Sequence, residues 1–188
     1  MKKSLIFLLC LLPALGLVLD GLTGGLGVNP VETVTHTTGE WALRLLLITL
    51  AITPLRRWLG WRWQQPLRRM FGLFAFFYAA LHFATWFILD QGFSLDLVIE
   101  DVIERPYITV GFIAFVLLIP LAATSTDAMI RRIGGKRWKR LHQSVYVVGI
   151  LGVLHYLWLV KADWTEPAVY GAILAALLLA RLPVPLRR

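Results

Sequence analysis

Three of the four histidines, His82, His142 and His155, fall inside strongly apolar runs, whereas nearly every carboxylate falls between those runs. An ionisable group inside a membrane span costs enough free energy that a functional role is its default reading. Neutral imidazole offers a nitrogen lone pair to iron. His82 stands twelve residues after Met70, where its run begins, and seven before Leu89, where it ends; His155 lies toward the far end of a run from Leu141 to Val160. If both runs cross in the same direction, the two rings meet at one depth. Two imidazoles from adjacent helices around one iron make a bis-histidine site for a b-type heme, which transfers electrons and does not bind oxygen. His142 precedes His155 by 13 residues, about 20 Å along a helix. That is too far to share a metal and a suitable stagger for a second heme, so one or two hemes b are expected. A 13-residue step does not return to the same helix face at about 100° per residue. A distortion near Gly149 and Gly152, or hemes approached from different azimuths, is needed to reconcile the two positions.

Buried histidines also bond across to neighbouring helices or relay protons. The alternative reading is therefore a small membrane transporter or proton-conducting bundle, which lacks supporting carboxylates within the spans. His36 is expected in a loop before a helix cap, with a structural role.

The elements that position these groups are membrane helices. Of 188 residues 58% are hydrophobic and 16% charged, and mean hydropathy is +0.70, far too apolar for an ordinary soluble domain of this size. Apolar runs cover Leu5 to Leu19, Trp41 to Leu55, Met70 to Leu89, Tyr107 to Thr126, Leu141 to Val160 and Ala168 to about Leu186. They predict an all-α integral membrane protein, a bundle of six transmembrane helices in a single domain over 1–188. The first run lacks a small-x-small cleavage site before Asp20 and is read as a retained helix. Thr37 and Glu40 have capping-box spacing and predict the start of the second helix, while Arg44 near that start can snorkel to the interface. Pro167 suits the first turn of the last helix.

Basic residues cluster in alternate connections: Lys2 and Lys3; Arg56, Arg57, Arg62, Arg68 and Arg69; Arg131, Arg132, Lys136, Arg137, Lys139 and Arg140; Arg181, Arg187 and Arg188. The other connections are acidic, holding Asp20, Glu32 and Glu40, then Asp90 through Glu104, then Asp163 and Glu166. Retention of positive charge in the cytoplasm places both termini there. The same clustering between apolar runs assigns the net charge of +8 to membrane topology and not to nucleic acid. A single cysteine, Cys10, excludes a disulfide framework and a cysteine-ligated cluster within one chain. Gly21 to Gly27 lacks the spacing of a dinucleotide loop. Tryptophans including Trp41, Trp58, Trp61, Trp63, Trp138, Trp158 and Trp164 mostly sit at span ends, as belt residues in contact with lipid.

Several segments carry a resemblance over nearly the whole chain: Gly24 to Glu32, the His36-Thr37-Thr38-Gly39 turn, Ile52 to Leu55, Arg68 to Leu73, Leu81-His82, Arg105 to Gly111, Thr124 to Thr126, Trp138 to Tyr146 and His155 to Trp158. In this order they resemble the heme-binding membrane subunits of bacterial protein-methionine-sulfoxide reductase systems, within the ferric reductase-like transmembrane family. The resemblance implies a multi-pass protein of the cell inner membrane that relays electrons and is not itself the catalytic subunit. Its donor would be the quinone pool or a cytosolic flavin reductase, and its acceptor a periplasmic molybdopterin-containing methionine sulfoxide reductase. It implies heme b and FMN as cofactors, with His82 and His155 on one heme iron and His142 on a second.

The wider family carries two histidines on each corresponding helix, but fourteen residues before His82 stands Arg68. Arginine stays protonated and has no free lone pair, so it suits a heme propionate better than iron. Larger members also carry a fused flavin and nicotinamide domain, so a separate electron donor is expected here. The acidic stretch from Asp90 to Glu104 is the expected docking surface for the periplasmic partner.

Overall fold

The computed structural model describes residues 2–60, 63 and 65–182. Trp61, Arg62, Arg187, Arg188 and the last part of the sixth apolar run lie outside these. A chain that crosses lipid must satisfy its backbone hydrogen bonds internally, and the apolar runs accordingly wind into helices. In order these are α1 (Lys2–Thr23), α2 (Pro30–Leu59), α3 (Arg68–Thr85), α4 (Leu95–Glu104), α5 (Pro106–Ala123), α6 (Asp127–Ile133), α7 (Gly135–His142), α8 (Val145–Leu159) and α9 (Thr165–Leu179). A 3₁₀ turn, Gln65–Leu67, leads into α3, and a π turn, Trp86–Asp90, prolongs it. No strand occurs among the described residues. Four helical stretches there, Lys3–Thr23, α2, α3 with its π turn, and α5, are long and apolar enough to cross a membrane. The helices α8 and α9 have 15 residues each.

The second helix starts earlier than its capping-box spacing predicts. Asn29 caps α2, its side chain accepting the Glu32 amide at 3.3 Å, and Pro30 follows at the first helical position. Thr37, Glu40 and His36 therefore lie within α2, and His36 is not in a loop. An Asn-Pro start suits a helix better than the interior threonines do. Those threonines turn their hydroxyls back onto helix carbonyls, Thr33 to Asn29 at 3.1 Å and Thr38 to Val34 at 2.7 Å, so the polar stretch continues the helix.

The fifth run is also interrupted. α7 ends at His142 and α8 begins at Val145, with Ser144 donating to the Leu141 carbonyl at 2.8 Å. The break at Gln143–Ser144 replaces the distortion expected near Gly149 and Gly152, which instead face Leu174 and Leu43 across helix contacts. Within the acidic connection, Asp90 to Glu104, the chain forms α4, capped by Ser94. Gln91 donates to Asp101 at 2.7 Å, which pins α4 to the end of the π turn.

α2 packs along α3 and α5 along α8, while α9 lies against α8 and α1 sits at the periphery. Tyr78, fully buried, joins α3 to α1 through a hydroxyl inserted into the α1 ladder. It donates to the Cys10 carbonyl at 2.7 Å and accepts the Ala14 amide at 3.1 Å, replacing the bond those two groups would otherwise share. Pro13 stands between them.

Contacts define two ends of the bundle. The starts of α2 and α5 meet the far parts of α3 and α8, near Glu32, Asp90 and Asp101. At the other end Arg69 pairs with Asp127, Arg57 donates to the Ala180 carbonyl at 3.3 Å, and His142 meets Thr124. These are called the acidic end and the basic end below.

Candidate functional site

α3 and α8 bring His82 and His155 together at the acidic end, with ring centroids 6.0 Å apart and ring planes at 78°. Each ring is held from behind by a different helix. His82 Nδ1 lies 2.9 Å from the Thr35 carbonyl of α2, and His155 Nδ1 lies 2.7 Å from the Tyr107 carbonyl of α5. A carbonyl oxygen can only accept, so both Nδ1 atoms carry hydrogen, and the neutral rings keep their lone pairs on Nε2. Among the described residues neither Nε2 has a hydrogen-bond partner.

This donor set fits an iron porphyrin. Metal–nitrogen bonds of about 2 Å, with about 1 Å more from each nitrogen to its ring centre, would put the ring centres of two imidazoles holding one iron about 6 Å apart. The observed separation matches. Hydrogen bonding of the far ring nitrogen to a carbonyl is the usual support for a metal-binding histidine. Beside the pair, Phe83 stacks on Phe87 and Phe115, and Phe115 stacks on Phe76, giving an aromatic seam between α3 and α5.

His142 stands apart, at the basic end. Its Nε2 lies 3.0 Å from Thr124 Oγ1, whose own hydrogen is directed to the Pro120 carbonyl at 2.6 Å. The histidine is therefore the donor, and its Nε2 carries hydrogen. Trp138, read from the sequence as a belt residue, stacks on this ring at a centroid distance of 3.9 Å and donates to the Thr124 carbonyl at 2.8 Å. The i, i+4 spacing of Trp138 and His142 is the signal that places both on one helix face. Arg68 opens α3 within electrostatic reach of His142, Tyr146, Arg56 and Arg181. The structure thus joins His82 with His155, and His142 with Thr124 and Trp138, and brings no second histidine to His142.

One polar network was not legible as such. Arg44 donates to Tyr170 and to Glu40, each at 2.7 Å, and lies 3.9 Å from Glu166. Tyr156, next in sequence to His155, donates to Glu166 at 2.6 Å. Arg44 therefore ties α2 to α9 within the bundle and does not merely snorkel. Only its Glu40 partner, four residues away, is evident from spacing. At the acidic end a cleft of about 240 Å³ is lined by Asn29, Val31, Glu32, Thr35, His36 and Asp90. Its wall includes the residue whose carbonyl holds His82.

The family model described as ferric reductase like transmembrane component matches residues 38–153, a stretch that runs from within α2 to within α8 and includes His82 and His142. A protein of Herminiimonas arsenicoxydans named protein-methionine-sulfoxide reductase heme-binding subunit MsrQ is 54% identical over 96% of this chain and 84% of its own. Proteins of the same name from Ralstonia nicotianae and Deinococcus radiodurans are 53% and 51% identical, over 92% and 94% of this chain and 81% and 87% of theirs. No solved structure matches the chain. With these likenesses and its several apolar helices, the chain is a multi-pass bacterial membrane protein that belongs to the ferric reductase-like transmembrane family, in its MsrQ branch.

Proposed function

We propose that the protein is the electron-transfer subunit of a protein-methionine-sulfoxide reductase system, and that His82 and His155 hold its b-type heme. The single observation that carries this reading is the pair of rings 6.0 Å apart, with each Nδ1–H bonded to a carbonyl and each Nε2 without a hydrogen-bond partner among the described residues. Heme bound there supplies a reversible one-electron couple. The chain's own part is to fix the tautomer and orientation of both rings, to strengthen them as donors through the carbonyls of Thr35 and Tyr107, and to keep water out of an apolar bundle. An iron held by His82 and His155 would be suited to electron transfer and would have no open position for oxygen.

In this reading six crossings, within one domain over 1–188, put both termini and the basic end in the cytoplasm of an inner-membrane protein. Electrons arrive at the basic end, from the quinone pool or from a soluble flavin reductase, with FMN on this donor side. They leave at the acidic end to a periplasmic molybdopterin-containing methionine sulfoxide reductase, drawn by Glu32, Asp90 and α4. A second heme at His142, with Arg68 toward a propionate, requires either ligation through Nδ1 or loss of the Nε2 bond to Thr124, and a sixth ligand other than histidine. The proton-conducting alternative gains no support from Glu40 of α2 and Glu166 of α9, which are engaged with Arg44.

The test is a reduced-minus-oxidised spectrum of the purified protein made with ample heme. Bands of a low-spin b-type heme are expected; their absence, together with proton flux in heme-free liposomes that depends on His82, overturns the reading.

A further inference from the structure

Two glycines in helix interiors lie against the same two imidazoles. A Cβ on Gly39 of α2 would stand 3.1 Å from both Nδ1 and Cε1 of His82, and one on Gly111 of α5 would stand 2.7 Å from Nδ1 and 2.9 Å from Cε1 of His155. Each glycine is four residues after the residue whose carbonyl receives the histidine, Thr35 before Gly39 and Tyr107 before Gly111. In an α-helix the amide at i+4 already donates to carbonyl i, and the side chain at i+4 lies on the same face beside it. Removing that side chain lets a ring reach a carbonyl that is already part of the helix ladder. Alanine is the better helix former, so helix formation itself does not call for glycine at either place. Other helical glycines face different groups: Gly152 and Gly171 would meet Leu43 and Val153 at ordinary contact distances of 3.6 and 3.5 Å, and Gly149 would meet the end of Leu174 at 3.1 Å.

We propose that Gly39 and Gly111 are positioning residues for the heme ligands, twin notches that seat His82 and His155 against helix carbonyls and so keep Nε2 of each ring for iron. This rests on the reading of the pair as heme ligands. The two notches are the same local device, a carbonyl and a glycine one turn later, placed on two different helices. Each histidine gains its tautomer and donor strength from a helix other than its own. A ring that donates to a carbonyl binds ferric iron more strongly, so weakening that bond raises the midpoint potential of the heme.

The experiment compares Gly39→Ala, Gly111→Ala and, as control, Gly171→Ala in the full chain, by heme content, low-spin spectrum and potentiometric titration. Gly39→Ala is expected to keep heme with a raised potential and an altered low-spin signal. Gly111→Ala, the tighter contact, is expected to show a larger rise or to lose most of its heme, and Gly171→Ala to match the parent protein. If Gly111→Ala does not accumulate, Gly39→Ala decides alone. Parent-like potential and signal in the accumulating notch variants, or equal heme loss in all three proteins, overturns the proposal. A parent protein without b-type heme sinks the underlying reading instead, so the two failures are distinguishable.

Discussion

His82 and His155 at one end of the bundle and His142 at the other are the same side chain in opposite states. The first two give hydrogen from Nδ1 to helix carbonyls, whereas His142 gives hydrogen from Nε2 to a threonine hydroxyl and lies flat on Trp138. In the proposed reading the pair is thereby prepared as two ligands, while the third ring serves as a strut between α7 and the end of α5. Membrane depth alone does not separate a ligand from a strut. The partner of the second ring nitrogen does, because it decides where the lone pair points.

Replacing the rings breaks this contrast most severely. His82→Ala and His155→Ala are each expected to lower electron delivery to a methionine sulfoxide reductase by more than about 100-fold, beyond what loss of a supporting contact to a metal ligand causes. His142→Ala is expected to leave the low-spin heme spectrum of the pair in place. Equal loss in all three variants would erase the distinction. Tyr78→Phe probes the scaffold one turn from His82, leaving the Cys10 carbonyl and Ala14 amide without their shared hydroxyl. A loss of about 1–3 kcal/mol is expected for such unpaired groups, read by thermal unfolding in detergent, with the heme bands unshifted.

The opposite end should respond more weakly. Thr124→Val removes the acceptor of His142 and is expected to cost about 1 kcal/mol by the same unfolding measurement, without moving the pair's spectrum. A spectral change there would make His142 a ligand after all. The smallest effect is expected from Glu32→Gln combined with Asp90→Asn, which should slow transfer to the acceptor a few-fold at low salt and hardly at all at high salt. Stopped-flow reoxidation by the acceptor measures this; a salt-independent loss would mean that the cleft does not steer the partner.

The apolar runs and the matched depths of His82 and His155 were legible because membrane length and helical rise fix both from sequence positions. The start of α2 was not. Its threonines read as a cap until their hydroxyls are seen folded onto the helix's own carbonyls. The break at Gln143–Ser144 was equally hidden, because the run from Leu141 to Val160 has no proline to announce it. Arg44 read as a snorkelling residue, since Glu166 and Tyr170 are remote in sequence and only the packing of α9 on the bundle brings them within reach. The two helix carbonyls behind the histidines leave no trace in residue types, yet the glycines one turn beyond them, Gly39 and Gly111, do.

The most direct measurement is heme per polypeptide, by pyridine hemochrome, in the parent protein beside His82→Ala and His155→Ala. Expected is a low-spin b-type heme in the parent whose signal disappears from both variants while each remains in the membrane. Unchanged heme content in both variants would contradict the assignment of the pair as its ligands.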